Sequence, residues 1–390
     1  MRAVCRPWPP KAPFNLLIHC DRHRAERVWW VKSCPEYKDL VESSAAYRNT
    51  PFLIIGAGAA ALGAASTLID GGAKPLIVDK GRRPGGRVAT QRPSRTSAHW
   101  FDTGAQYFTA RDTEFRALVE EDVGRGTLTR WQPRVVVATA RLETGFEQFT
   151  LHDSPDARER FIGPNGLKTW LAERLFELPA EMLPATRVER VWSEANSWRA
   201  QTTDGTTVEA ARVLITTPPV QAEAMLGQTA RAIDALASAD RHMAGCQTVV
   251  VSAPAHPHFD AAFVHGAKLA WIADNASKYA QATGPTHYWT LHAGVDYSTQ
   301  YIDAEPSDLA AELLEEFTAI TGFERSRIEF VHGHRWRYAR PSPSAPEPAE
   351  PPYAGLPDNG LALAGDWLAG GRIEGAWRSG VAAARALLDA

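Results

Sequence analysis

A chain of 390 residues is longer than one hydrophobic core usually fills, so two domains are expected, with interleaved segments allowed. Apolar residues make up 44% and charged residues 22%, a balance that supports large cores and excludes bulk disorder. The formal charge of -3 gives no long-range attraction for nucleic acid or for an anionic membrane.

Residues 1–50 carry clustered Arg and Lys, the pair Trp29-Trp30, and no period of two or 3.6. No apolar run follows the basic start, and Asp21, Glu26, Glu36, Asp39 and Glu42 argue against an acid-poor presequence. A disordered extension is expected, or a start codon read too far upstream, with Val41 as the alternative first codon. Cys5, Cys20 and Cys34 fall in this stretch and only Cys246 in the body, with no zinc-ligand spacing. No metal site is expected, and such sparse cysteine suits the reducing cytoplasm.

From Pro51 to Ile69 run nineteen uncharged residues, long enough to raise a membrane span. The order within them argues otherwise. The strand-like Phe52-Leu53-Ile54-Ile55 breaks at Gly56-Ala57-Gly58, an Ala-rich helix follows over about 58–70, and a second strand ends at Asp79. This is a βαβ unit. Further strands are expected at 134–140, 186–192, 198–203, 207–209 and 213–217, the third and fourth joined at Asp204-Gly205. Apolar runs at 248–252, 269–272 and 288–292 suggest a second sheet. Ser307 is expected to cap a helix with Leu309, Leu313, Leu314, Phe317 and Ile320 on one face, ending at Gly322. Six prolines make 341–352 an extended loop, a linker or a lid. The strand 361–364, the turn Gly365-Asp366 and a last helix over about 374–389 close the chain.

Gly56, Gly58 and Ala61 stand as GxGxxA between strand and helix, the context of a dinucleotide fingerprint. Gly56 permits the turn, Gly58 lets the backbone approach a pyrophosphate, and Ala61 keeps the helix close to the strand. The helix start at Ala59 offers N–H groups to phosphate. Asp79, followed by Lys80, is placed to accept from a ribose hydroxyl. Immediately downstream, Gly85-Gly86-Arg87 forms a backbone crook with a fixed cation suited to a pyrophosphate, which favours FAD over NAD.

With Phe101-Asp-Thr-Gly-Ala-Gln-Tyr-Phe108, these motifs resemble flavoproteins of the amine-oxidase superfamily, closest to the renalase-like branch. Further blocks are Phe161–Gly166, Ala270-Trp271, Trp289–Ala293, His334–Ala339 and Gly365–Trp377. The resemblance covers nearly all of 51–390. It implies an α/β fold: a Rossmann-like FAD-binding domain in pieces (51–110, 155–218 and 328–390) with an inserted α+β substrate domain (111–154 and 219–327). By position it assigns Gly104, Ala105 and Gln106 beside the isoalloxazine ring and Val188 at the adenine. Gly365-Asp366 falls at the ribityl chain, and Ile373, with Glu374, opens the last helix at the flavin N1/O2 edge. Relatives that tether FAD use a Cys near the C-terminal motif. None follows Cys246 here, so non-covalent FAD is expected.

The renalase-like branch oxidises misreduced isomers of NAD(P)H and passes the electrons to O2. Such a dihydropyridine loses a hydride with no proton to remove, so positioning carries the catalysis. Candidate walls are Tyr107, Trp271, His292, Arg335 and Trp336. For Trp271 and Trp336 a packed core aromatic is an equal expectation, and for His292 a hydrogen-bonded core histidine is the default. Arg335 and Arg337 flank Trp336, and one of them is expected to reach the ligand. Three functions stay open at this point. They are a dihydronicotinamide oxidase, an amine oxidase or polyene desaturase, and a flavin-binding protein without catalysis.

Overall fold

A computed structural model describes residues 48–390 except 95–96, 98, 144–145, 238–242 and 280–283. The expected extension, its alternative start at Val41 and three of the four cysteines lie outside the described residues. Its expected end at residue 50 is slightly late, because β1 (Arg48–Ile55) already begins at Arg48, paired with Val208.

The βαβ unit forms as expected: β1, α1 (Ala59–Asp70) and β2 (Pro75–Val78). After the short antiparallel pair β3 (Thr90–Gln91) and β4 (Phe101–Asp102) come α2 (Thr113–Gly124), β5 (Thr129–Trp131), β6 (Val135–Glu143), β7 (Phe146–Asp153) and β8 (Arg160–Ile162). The chain continues through α3 (Leu167–Glu177), β9 (Glu181–Leu183), β10 (Val188–Glu194), β11 (Ser197–Thr202), β12 (Thr207–Ile215) and α4 (Pro219–Leu226). Then follow β13 (Met243–Ala253), β14 (Ala261–His265), β15 (Leu269–Asp274), β16 (His287–Ala293), α5 (Val295–Gln300) and α6 (Pro306–Thr321). The last elements are β17 (Glu329–Pro341), β18 (Ala354–Leu356), β19 (Leu361–Leu363) and α7 (Arg372–Asp389).

Two sheets organise these elements into an α/β fold with a Rossmann-like half. In the first, β9, β2, β1, β12 and β19 run parallel, and β10, β11 and β18 add antiparallel edges. Both faces of its centre are covered, which explains the uninterrupted burial of Leu53, Ile54 and Ile55. Helices α1 and α7 lie together over one face. A Cβ on Gly63 would sit 2.3 Å from the Trp377 carbonyl oxygen, and one on Gly380 would sit 1.9 Å from that of Ala60. Glycine at both positions is what lets the two backbones touch. Burying Leu62 and Leu68 beneath them contributes about 1.5–3 kcal/mol each.

The second sheet has the order β17-β13-β16-β15-β14-β6-β7. One face, with Val249, Val251, Leu291 and Ile272, packs on Leu309, Leu313, Phe317 and Ile320 of α6. Its other face carries Thr248, His292, Trp271 and Phe263 in cross-strand register, and residues 101–108 lie over it.

Four expectations need correction. The strand 329–341 pairs with β13 over its length, so by pairing it belongs to the second sheet and not with the nucleotide-binding segments. The strands expected at 207–209 and 213–217 are one nine-residue strand, β12, held continuously against β1. Helix α6 is capped by Glu305 with Pro306 in its first turn, so Ser307 lies inside it; proline's fixed φ suits that opening position. The last helix starts at Arg372. Among the described residues no helix is long and apolar enough to cross a membrane, and no cluster could hold a metal ion.

Candidate functional site

The carboxyl ends of β1, β2, β12 and β19 converge. Gly56–Gly58 follow β1, Asp79 follows β2, Thr216 follows β12, and Gly365-Asp366 follow β19. Ligands of open α/β sheets bind in the crevice outside such strand ends.

Gly56 has φ 112°, and a Cβ there would strike Thr216 Oγ1 at 2.4 Å, so its glycine is required by turn and packing together. Gly58 differs. It is extended, and a Cβ on it would meet nothing within 4 Å. Across that open space stands Gly86, whose own Cβ would have Gly58 Cα as its nearest neighbour at 3.8 Å. Gly58 also caps α1 with no side-chain hydrogen bond, leaving the first N–H groups, from Ala59 to Ala61, without a side-chain acceptor. Two glycine backbones facing an open space at an uncapped helix start make a cradle that fits a pyrophosphate.

Asp79 Oδ2 accepts from the Ala57 N–H at 2.9 Å and Oδ1 from the Gly81 N–H at 2.6 Å. Burial nonetheless raises its pKa above the ordinary carboxyl value, with the two N–H bonds opposing. Its spare lone pairs are what remain for a ribose hydroxyl. Lys80 is exposed and its ammonium turns to Gln221 Oε1 at 3.4 Å, away from the cradle. Ala61 is fully buried, and Val188 is buried at the start of β10.

Arg87 and Asp366 pair through both guanidinium nitrogens, at 2.8 and 2.6 Å. Arg87 also accepts through its backbone: the Ala105 N–H donates to its carbonyl at 3.1 Å, and a Cβ on Gly104 would sit 2.0 Å from the same oxygen. Gly104 and Ala105 are thereby fixed beside the arginine. Ile373 is buried in the first turn of α7, which, like α1, starts at a glycine without a side-chain cap. Glu374 instead turns outward and accepts from the backbone N–H groups of Arg111, at 2.7 Å, and Asp112.

Beneath residues 101–108 lies a buried polar knot that the sequence did not signal. Lys278, fully buried, donates to Asp102 Oδ2 (3.1 Å), Gln106 Oε1 (2.8 Å) and Asn275 Oδ1 (3.3 Å). Tyr279 and Thr90 donate to the same carboxylate at 2.6 and 2.7 Å. Burial lowers the Lys278 pKa, with Asp102 opposing, and raises that of Tyr279. Gln106 further donates to the carbonyls of Asp102 (2.7 Å) and Gly104 (3.0 Å), so its side chain braces the loop and does not project from it.

Four of the five wall candidates gather on one side of the second sheet. Tyr107 lies 5.7 Å from Trp271, ring centre to ring centre, and Trp336 lies 4.1 Å from His334 while its Nε1 donates to the Thr103 carbonyl at 2.7 Å. His292 is held neutral: burial and the charge of Lys278 push its pKa down to about 4. Arg335 is not brought there. It donates to the carbonyl of Asp303 at 2.8 Å and pairs with Glu305, and Arg337 pairs with Asp303. Residues two apart on a strand share a face, so both arginines point away from Trp336. Cys246, also on β13, is partly buried, and burial pushes its thiol up to about 11.

Residues 54–121 match the NAD(P)-binding Rossmann-like domain, and residues 165–388 match the flavin containing amine oxidoreductase family. Among solved structures, the fold is similar to a protein named as a protoporphyrinogen oxidase from Exiguobacterium sp. 255-15. That match has 14% identity and TM-score 0.64 over 88% of this chain and 98% of that one. A putrescine oxidase solved with putrescine is 12% identical with TM-score 0.64 over 88% and 100%. An oxidoreductase from Methanosarcina mazei is 11% identical with TM-score 0.63 over 84% and 98%. At these identities the structures speak for the fold alone. The family match spans more than half of the sequence and ends with the helix whose start faces the strand ends, so the chain is a flavin-dependent oxidoreductase belonging to the flavin containing amine oxidoreductase family.

Proposed function

We propose that the chain binds FAD without a covalent link and takes a hydride from the flat, neutral ring of a dihydronicotinamide donor, as the renalase-like branch does. Gly58, Gly86 and the start of α1 would hold the pyrophosphate, Asp79 the ribose and Val188 the adenine. Asp366 would take the ribityl chain, with Gly104, Ala105 and the Ile373 N–H along the ring. FAD held there would supply a two-electron acceptor, with O2 as the terminal oxidant and H2O2 as product. On this reading residues 48–110, 155–218 and 342–390 form the cofactor domain, and 111–154 with 219–341 the substrate domain.

The observation that carries the substrate class is the charge of the wall. Its rings are Tyr107, Trp271, His292, His334 and Trp336, and the carboxylate near them, Asp102, is already committed to Lys278, Tyr279 and Thr90. Among the described residues a protonated amine would find no free anion there, whereas a dihydropyridine needs only shape and orientation. His292, its pKa pushed down to about 4, is a weak base and Lys278 donates to three acceptors, whereas hydride loss from a dihydropyridine requires no base. Peroxide release from the 2- and 6-dihydro isomers of NAD(P)H tests this. A second reading, an amine oxidase, is favoured by the family match and by the paired rings of Tyr107 and Trp271; turnover of amines in place of the isomers would select it.

A further inference from the structure

Among the described residues three shielded ring nitrogens on the site face lack a hydrogen-bond partner: His332 Nε2 on β17 and, two strands away and adjoining one another, Trp271 Nε1 and His292 Nε2. Trp271 is 7% exposed, and it and His292 are opposite one another on β15 and β16, hence on one face of the sheet. Shielded polar atoms in folded proteins nearly always have a partner. A ligand in the site would supply it.

The two atoms ask for opposite things. An indole Nε1–H can only donate. A neutral His292 carries one ring N–H and one lone pair; with the N–H on Nδ1, its shielded Nε2 is the acceptor. Side by side stand one donor and one acceptor, flanked by the rings of Tyr107 at 5.7 Å and Phe263 at 4.8 Å from Trp271. Few small planar groups satisfy both. A ketone or ester offers acceptors only. A carboxylate would set its charge against the His292 lone pair. An ammonium would leave the indole N–H unmatched. A primary carboxamide carries an oxygen that accepts and an N–H that donates on one flat group.

Resting on the dihydronicotinamide reading above, we propose that Trp271 and His292 form a carboxamide-reading pair. Trp271 Nε1–H donates to the carboxamide oxygen, and His292 Nε2 accepts from the carboxamide N–H. The pair thus selects nicotinamides among dihydropyridines and fixes the angle at which the ring meets the flavin.

The test is anaerobic reduction of the holoenzyme by N-alkyl 1,6-dihydropyridines bearing a 3-carboxamide, 3-acetyl or 3-carboxylate group. Each rate is normalised to the same donor's reaction with free riboflavin, to remove intrinsic reactivity. In the wild type the carboxamide should lead by about 10- to 100-fold, the effect of leaving one shielded partner unmatched. His292→Leu should abolish its lead over the acetyl compound. Trp271→Phe should slow carboxamide and acetyl alike by about tenfold, since both place an oxygen at the indole. Flavin content of each variant reports whether it folds, and the wild-type series stands without them. Equal normalised rates for all three donors would overturn the pair while leaving the dihydronicotinamide reading in place. No reduction by any of them would overturn that reading and the pair with it.

Discussion

Arg87 and Asp366, 279 positions apart in sequence, meet in a two-pronged ion pair that ties the glycine crook after β2 to the turn after β19. Asp366 is buried and the arginine partly so, which places the pair well above an exposed surface contact in strength. It holds together the segments proposed for the pyrophosphate and for the adjoining ribityl chain. Arg87→Met leaves Asp366 buried without its charged partner, at a cost of about 1.5–3 kcal/mol. The expected outcome is FAD binding weakened by about 10- to 100-fold, read by fluorescence titration of the apoprotein.

Gly58 separates binding from folding. Since a Cβ there meets nothing and the backbone is extended, Gly58→Val should lower the melting temperature of the apoprotein only slightly, through the poorer helix cap. The added side chain fills the cradle, and overpacking of about 1–3 kcal/mol translates to about 5- to 150-fold weaker FAD binding. Gly104→Ala should do the reverse and unsettle the fold itself, because its Cβ collides with the Arg87 backbone. Unaltered FAD affinity in Gly58→Val would remove the cradle assignment.

Breaking the Lys278–Asp102 pair should cost stability. Lys278→Met leaves a buried carboxylate with only Tyr279 and Thr90 as side-chain donors, and loss of one member of a buried pair costs about 3–5 kcal/mol. Lys278→Met with Asp102→Asn should recover much of this. Urea denaturation of the two variants makes the comparison.

His292 gives a pH signature. Its folded-state pKa lies at about 4, below the ordinary 6.5, so between those values the unfolded chain binds the extra proton. Stability contributed by the neutral ring is therefore complete above 6.5 and falls as pH drops towards 4, by up to about 1.4 kcal/mol per pH unit. His332 and His334, also lowered by burial, add to the same slope. His292→Gln should show a shallower loss between pH 7 and 5 in denaturant titrations. An unchanged slope would mean that this ring takes up its proton as readily in the folded chain as in the unfolded one.

The parts legible in sequence are those whose chemistry is local. Gly56, Gly58, Ala61 and Asp79 fall within one βαβ unit, where strand, turn and helix each leave their own pattern. The polar knot was illegible because Lys278 and Asp102 lie 176 positions apart, and a lysine in a short turn reads as a solvated one. The placement of residues 329–341 depended on β13, a partner some ninety residues upstream that no local pattern names. Adjacency to Trp336 does not carry Arg335 to the same side, because alternation along a strand sends adjacent side chains to opposite faces.

The most direct measurement is anaerobic mixing of the yellow holoenzyme with NADH containing its 2- and 6-dihydro isomers. Rapid loss of the flavin absorbance with the isomers, but not with pure 4-dihydro NADH, is the expected result. An absorbance that survives the isomers but bleaches with an amine would contradict the proposed substrate and leave the amine oxidase reading in its place.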